Sequence, residues 1–164
     1  MKGAIVTGLA IYRTPIAPEW IDYNGHVRDA YYGLIASHAI DTLMDRLGLD
    51  AAYRQQSRCT LYTVETHIHY LREIGGRDSV QVMARILGAD EKRLHVALEL
   101  VAEGSTETAA TCETMLLHVR QSPPPVRTER FPHAVAAAIV KLRDATAAMP
   151  PSGPGSRRME LPRR

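Results

Sequence analysis

Long apolar runs are missing from this 164-residue chain. None approaches the roughly 18 residues that a membrane-crossing helix needs, so no membrane partner is expected. A dominant charge is missing too. Twenty Lys and Arg stand against 18 Asp and Glu, and part of that small excess sits in Arg157, Arg158, Arg163 and Arg164. Such a balance offers no strong field to a nucleic acid, and none is expected as a partner. Cysteine is scarce: Cys59 and Cys112 stand far apart with no CxxC spacing, so a disulfide framework is not the organising feature and a reduced, cytoplasmic chain is the expectation. The opening MKGAIVTGLAIYRTPI has one Lys and an apolar stretch, but it lacks an Ala-x-Ala cleavage site and runs straight into a strand-like segment, which argues against a signal peptide.

What is present suits one ordinary domain with a real core. Residues 11–16 read as a strand that Pro15 and Pro18 interrupt, and WIDYNGHVRD follows as a loop. Asp29 is placed to cap a helix over roughly 30–47. There Leu34, Ile35, Ala39, Ile40, Leu43, Met44 and Leu47 cover more than one face, Asp41 and Asp45 leave only a narrow polar stripe, and Gly48 is a natural stop. A helix of that kind is expected to be largely buried. Beyond a polar loop over Arg54–Arg58 the pattern changes to period two. Strands are predicted over 61–71, 79–88, 93–102 and 107–119, separated by the turns EIGGRD, ADEKR and EGSTE: an antiparallel meander. A long apolar helix beside one such sheet implies that the sheet wraps it, an α+β arrangement with five strands. SPPP at 122–125 ends the sheet, residues 132–147 form a second, alanine-rich helix, and the segment from Met149 onward reads as a flexible tail. The expected organisation is thus a domain over 5–120, a helical extension over 121–148 and a tail over 149–164.

The loop before the first long helix is where chemistry is expected. A helix N-terminus offers backbone N–H groups without intrahelical partners and a partial positive charge, favourable to an anion or a polarised carbonyl. Asp22 is a candidate nucleophile or base, the amides around Asp29–Tyr31 are a candidate oxyanion site, and Gly25 allows close backbone approach. The plainer alternative is a capped turn, with Asp22 and Asn24 bonded to local backbone and His26 filling a gap.

The run DYNGHV before a long helix, a strand ending HYLRE and then GRDSVQV resemble the hotdog-fold 4-hydroxybenzoyl-CoA thioesterase family over about residues 10–120. The resemblance implies a hotdog fold and acyl-CoA thioester hydrolysis. It sets Asp22 on the family's catalytic aspartate, Gly25 on its loop glycine and Tyr32 on its helix tyrosine. Many relatives carry Asn-Asn where this chain has Arg28-Asp29. His26 and Asp29 complete the candidate catalytic set, with coenzyme A as part of the substrate and no separate cofactor or metal. The resemblance also implies a homodimer or a dimer of dimers, in which two 61–71 strands pair into a continuous ten-stranded sheet with active sites between subunits.

Within that family, the stretch from Trp20 to Glu73, with the later KRLH and MLLHV, is similar to the betainyl-CoA thioesterases of bacterial carnitine breakdown. The residues support this independently. The only Trp and six of seven tyrosines lie between Trp20 and Tyr70, and aromatic faces hold trimethylammonium groups by cation–π attraction. Trp20, Tyr23, Tyr31, Tyr32, Tyr62 and Tyr70 form the candidate pool, with Asn24 beside them; the same rings also suit a core or a dimer interface. Glu65 shares a strand face with His67 and His69, and is expected to support a cation or orient water rather than bind a metal. Two rival functions remain open. A hotdog enoyl-CoA hydratase or dehydratase commonly uses Asp-x-Asn-Pro-x-His, which this chain departs from. A non-catalytic acyl-CoA-binding module would have no need of Asp22.

Overall fold

A computed structural model describes residues 8–149. The predicted start of the domain at residue 5 and the tail beyond Met149 lie outside the described residues. The elements run β1 (Leu9–Pro15), a 3-10 turn (Pro18–Trp20), α1 (Asp29–Arg46), α2 (Ala51–Ser57), β2 (Cys59–Tyr70), β3 (Ser79–Ala89), β4 (Arg93–Ala102), β5 (Thr108–Arg120), β6 (Arg127–Thr128) and α3 (His133–Thr146).

The strands form one antiparallel sheet in the order β1-β3-β4-β5-β2. Alternation dictates its core face: Val80, Val82, Ala84 and Ile86 of β3, Leu94, Val96, Leu98 and Leu100 of β4, and Ala110, Cys112 and Leu116 of β5 are all buried. The two-residue β6, which the sequence reading did not include, pairs with Val119 and Arg120, beyond the point where β4 leaves β5. α3 packs against β3, and its Val135 and Ile139 join the main core. Both cysteines are buried and free. No helix among the described residues is long and apolar enough to cross a membrane.

α1 lies in the hollow of this sheet, and its exposed side is wider than the narrow polar stripe expected from the sequence. Tyr32, Ile35, Ala36, Ala39, Ile40, Leu43 and Met44 form one buried face, spaced three and four residues apart. Leu34, Ser37, His38, Asp41 and Asp45 are exposed. The sheet curls round one side of the helix, and the side bearing Ser37, His38 and two aspartates is left to water. The stop falls where expected. Gly48 takes φ +82°, its N–H donates to Asp45 O (3.1 Å), and the Leu49 N–H donates to Met44 O (2.9 Å), a glycine-terminated helix end.

Two local readings are corrected. The segment expected as a polar loop over Arg54–Arg58 is largely helix α2, nucleated by the Asp50 carboxylate accepting the Tyr53 N–H at 2.8 Å. Seven residues give too few turns to leave a periodic signal. The N-cap of α1 is Arg28 rather than Asp29, and no side chain caps this terminus.

At the far end of β5 from that terminus, His118 is fully buried. Its Nδ1 faces the Glu129 carbonyl (3.0 Å), which accepts, so Nε2 is left to accept from the Tyr53 hydroxyl (3.0 Å), while Phe131 stacks on the ring at 5.0 Å. Burial, the largest influence, pushes its pKa below the ordinary value, and the Glu129 backbone contact offsets part of this. In the unfolded chain the ring protonates near 6.5. The unfolded state therefore binds more protons than the native state as pH falls through that value, and native stability declines with it. Denaturant unfolding should show stability that is full above about pH 6.5 and lost progressively below it. His118→Gln should flatten that slope and cost ~1–3 kcal/mol at pH 8.

Candidate active site

The 22–26 turn is built by short-range bonds and held from one side. Ile21 and Val27 form an antiparallel bridge, and the Asp22 N–H donates to His26 O at 2.9 Å. Gly25 closes the turn with φ +83°, a conformation that costs an L-residue with a Cβ. The β2–β3 connection holds the turn in place: the Val27 N–H donates to Ile74 O (2.9 Å), His26 bridges Gly75, and Ile74 is fully buried. On the other flank the Arg28 N–H donates to Trp20 O (2.9 Å).

This scaffold fixes the Asp22 carboxylate. Its Oδ1 accepts the Asn24 N–H at 2.8 Å and the His26 N–H at 3.3 Å, and its Oδ2 lies 3.5 Å from the Asn24 amide nitrogen. The capped-turn reading thus holds for Oδ1, and the same cap orients the carboxylate. Desolvation, the largest single influence, pushes the pKa up. The Asn24 and His26 amides, the Asn24 side chain and the His26 ring together outweigh it and leave Asp22 below the ordinary carboxylate value. It is ionised at neutral pH.

Asp22 opens onto a cleft of about 320 Å³ together with Asn24, His26, Val27, Asp29, Tyr32, Tyr70, Leu71, Arg72 and Glu73. The α1 terminus meets this cleft through Asp29. With no side-chain cap, its first amides remain available. The Tyr31 N–H donates to Arg28 O at 3.0 Å, which leaves Asp29 and Ala30 of the three amides singled out from the sequence. Tyr70 donates its hydroxyl to the Asp29 carbonyl (3.3 Å) and meets the buried Tyr32 edge-to-face at 5.2 Å. Burial first, and then the Asp29 charge, pushes the Tyr70 hydroxyl above its ordinary pKa; burial does the same to Tyr32.

Six of the residues expected at the site therefore share one cleft: Asp22, Asn24, His26, Asp29, Tyr32 and Tyr70. Gly25 shapes the turn beside them. The others lie elsewhere on this chain. Trp20 and Tyr31 stack on each other at 5.5 Å, and Tyr23 is 94% exposed. Tyr62 accepts from the Gln121 amide (3.1 Å), eight residues along β2 from Tyr70, roughly 25 Å. Glu65 pairs with His67 at 2.8 Å, next to a bulge between Thr63 and Glu65 that breaks the strand's alternation. Among the described residues no group of three potential ligands could hold a metal ion. The sequence reading did not single out Arg72 and Glu73, which follow Tyr70 in HYLRE. Glu73 meets His26 Nε2 at 3.2 Å, and Arg72 is engaged by Glu107 at 2.8 Å.

A profile of the thioesterase-like superfamily matches residues 16–139. The chain is 43% identical over 148 residues to the betainyl-CoA thioesterase of Pseudomonas aeruginosa PAO1, covering 90% of this chain and 92% of that one. It is 40% identical over 111 residues to the L-carnitine dehydrogenase/betainyl-CoA thioesterase of Agrobacterium fabrum, covering 68% of this chain and 22% of that longer protein. A Staphylococcus aureus protein solved in complex with CoA superposes with a TM-score of 0.83 at 28% identity, over 96% of this chain and 98% of that one.

The turn geometry yields a direct test. A Cβ on Gly25 would meet open space, so the cost of Gly25→Ala is conformational alone. It should lower stability by about 1 kcal/mol in urea unfolding, and Gly25→Asn, which tolerates positive φ, by less.

Proposed function

The chain belongs to the thioesterase-like superfamily, and on that premise we propose that it hydrolyses a small acyl-CoA, with betainyl-CoA as the substrate its cleft suits best. The observation that carries the reading is the meeting, in one cleft, of an ionised, backbone-held Asp22 and an uncapped helix N-terminus. A thioester carbonyl laid against that terminus directs its oxygen at the Asp29 and Ala30 amides. As the carbon becomes tetrahedral, the charge on that oxygen is stabilised by both amides and by the helix dipole. Asp22 serves from the other side, as base toward a water or as nucleophile toward the carbon itself; both routes need it ionised. Coenzyme A leaves as a thiolate, so no strong general acid is required. Every step draws on side chains and backbone, without a resident cofactor.

The acyl preference rests on the lining. Asp22, Asp29 and Glu73 bring three carboxylates to the cleft, beside Tyr32 and Tyr70. Arg72 is engaged by Glu107, and His26 by Glu73. An acidic cleft with aromatic walls suits a quaternary ammonium acyl group. The relative that joins this activity to an L-carnitine dehydrogenase supports a role in carnitine catabolism. Free, buried cysteines fit a reducing, cytoplasmic setting.

The functional unit is a homodimer in this reading. β2 is a twelve-residue edge strand with Tyr62, Val64 and Tyr70 exposed, and a long unpaired edge calls for cover. Antiparallel pairing of two β2 edges brings the Tyr62 and Glu65 half of one strand toward the Tyr70 half of the other. That gives Tyr62 and Glu65 a place at the site.

The His26–Glu73 pair is the feature a hydratase would use, and an enoyl-CoA assay that yields hydration would favour that reading. Three outcomes are expected. Betainyl-CoA releases free CoA. Asp22→Asn lowers kcat by orders of magnitude in the same assay, with little change in KM. Light scattering at micromolar concentration gives at least a dimer, and a stable monomer would contradict the pairing.

A further inference from the structure

Of the three carboxylates in the cleft, two are already engaged. Asp22 accepts from the Asn24 and His26 amides, and Glu73 pairs with the His26 ring. Asp29 differs. Its backbone carbonyl accepts from the Tyr70 hydroxyl, but among the described residues no hydrogen bond or ion pair holds its side chain. It is the first residue of α1, so its carboxylate and its amide occupy the same corner of the cleft.

That position is costly for a general thioesterase. A negative side chain next to the amides that receive a developing oxyanion opposes the charge they stabilise. The conflict disappears if the acyl group brings a positive charge with it. In a betainyl thioester the quaternary nitrogen is two bonds from the carbonyl carbon, within reach of the residue whose amide meets the oxygen. Such a nitrogen has no N–H, so hydrogen bonds cannot recognise it. Only opposite charge and aromatic faces can, and the Tyr70 and Tyr32 rings stand beside Asp29.

We propose that the Asp29 carboxylate is the counter-ion that selects an acyl group with a permanent positive charge next to its carbonyl. The proposal rests on the thioesterase reading above. One residue then serves two purposes: its amide receives the oxyanion, and its side chain favours substrates whose own charge neutralises it. Asp29 is thereby a specificity determinant, and the neutral isostere of its substrate is the tert-butylacetyl thioester, which has the same shape without the charge.

The test measures kcat/KM for betainyl-CoA and tert-butylacetyl-CoA with the wild type, Asp29→Asn and Asp29→Glu, each checked by circular dichroism for a native fold. The wild type is expected to favour the cationic substrate at least tenfold. Asp29→Asn should reduce that ratio at least tenfold, whereas Asp29→Glu, which keeps the charge, should retain more of it. Tetramethylammonium should inhibit the wild type competitively and Asp29→Asn at least tenfold more weakly. A wild type indifferent to the charge, or an Asp29→Asn that lowers both substrates equally, would overturn the proposal and leave the thioesterase reading standing. Failure of the wild type to release CoA from either substrate would overturn both.

Discussion

Burial of one face of α1 in the hollow of the sheet is the constraint from which the site follows. Ile35, Ala39 and Leu43 lose essentially all solvent contact there, each larger side chain contributing roughly 2 kcal/mol of transfer free energy. That packing fixes the helix axis, and with it the place at which the helix presents its free amides. The opposite end is closed by the glycine-terminated bonds at Gly48. The N-terminal end has no such closure. Its N-cap is Arg28, whose side chain cannot accept from the first amides, and the end faces a cleft. The molecule satisfies one terminus of its central helix and leaves the other unsatisfied where a substrate carbonyl can meet it.

The Asp22 carboxylate is held by a separate device. Its turn is tied to the β2–β3 connection through Ile74 and Gly75 and to the 3-10 turn through Trp20. The same connection supplies Arg72 and Glu73, so the loop that braces Asp22 also lines the cleft. Tyr70, on the last position of β2, reaches the first residue of α1. Turn, helix and strand therefore meet at one point. Displacement of any one of them alters the relation between Asp22 and the amides.

Much of this was legible in the residues, for identifiable reasons. Period-two alternation in β3 and β4 gave the core face, because one side of each strand is apolar; β5 buries Thr114 and His118 on its core face and showed no such run. Gly48 marked a helix end, because positive φ selects glycine, whereas Gly25, read as permitting close backbone approach, serves the turn through its positive φ, with open space beside it. Asp22, Asn24 and His26 stood out as polar groups in a short loop before a helix. The exposed side of α1 was less legible: Leu34 is apolar yet 38% exposed, and hydropathy alone reads it as core. α2 escaped because a seven-residue helix depends on its Asp50 cap more than on periodicity. The gathering of Tyr32 with Tyr70, and the mutual stacking of Trp20 and Tyr31, depend on tertiary placement that no local pattern encodes. Arg72 and Glu73 follow Tyr70 after Leu71, but two charged residues after a strand resemble any solvated turn.

In the proposed mechanism Asp22 and the α1 amides face the same carbonyl from opposite sides. A crystal structure with a non-hydrolysable acyl-CoA analogue, its thioester replaced by a ketone, tests this directly. The ketone oxygen is expected within hydrogen-bond distance of the Asp29 and Ala30 amides, the Asp22 carboxylate on the far side of the carbonyl carbon, and the acyl group against Tyr32 and Tyr70. An acyl carbonyl seated away from the α1 N-terminus, or on it with Asp22 out of reach, would rule that arrangement out.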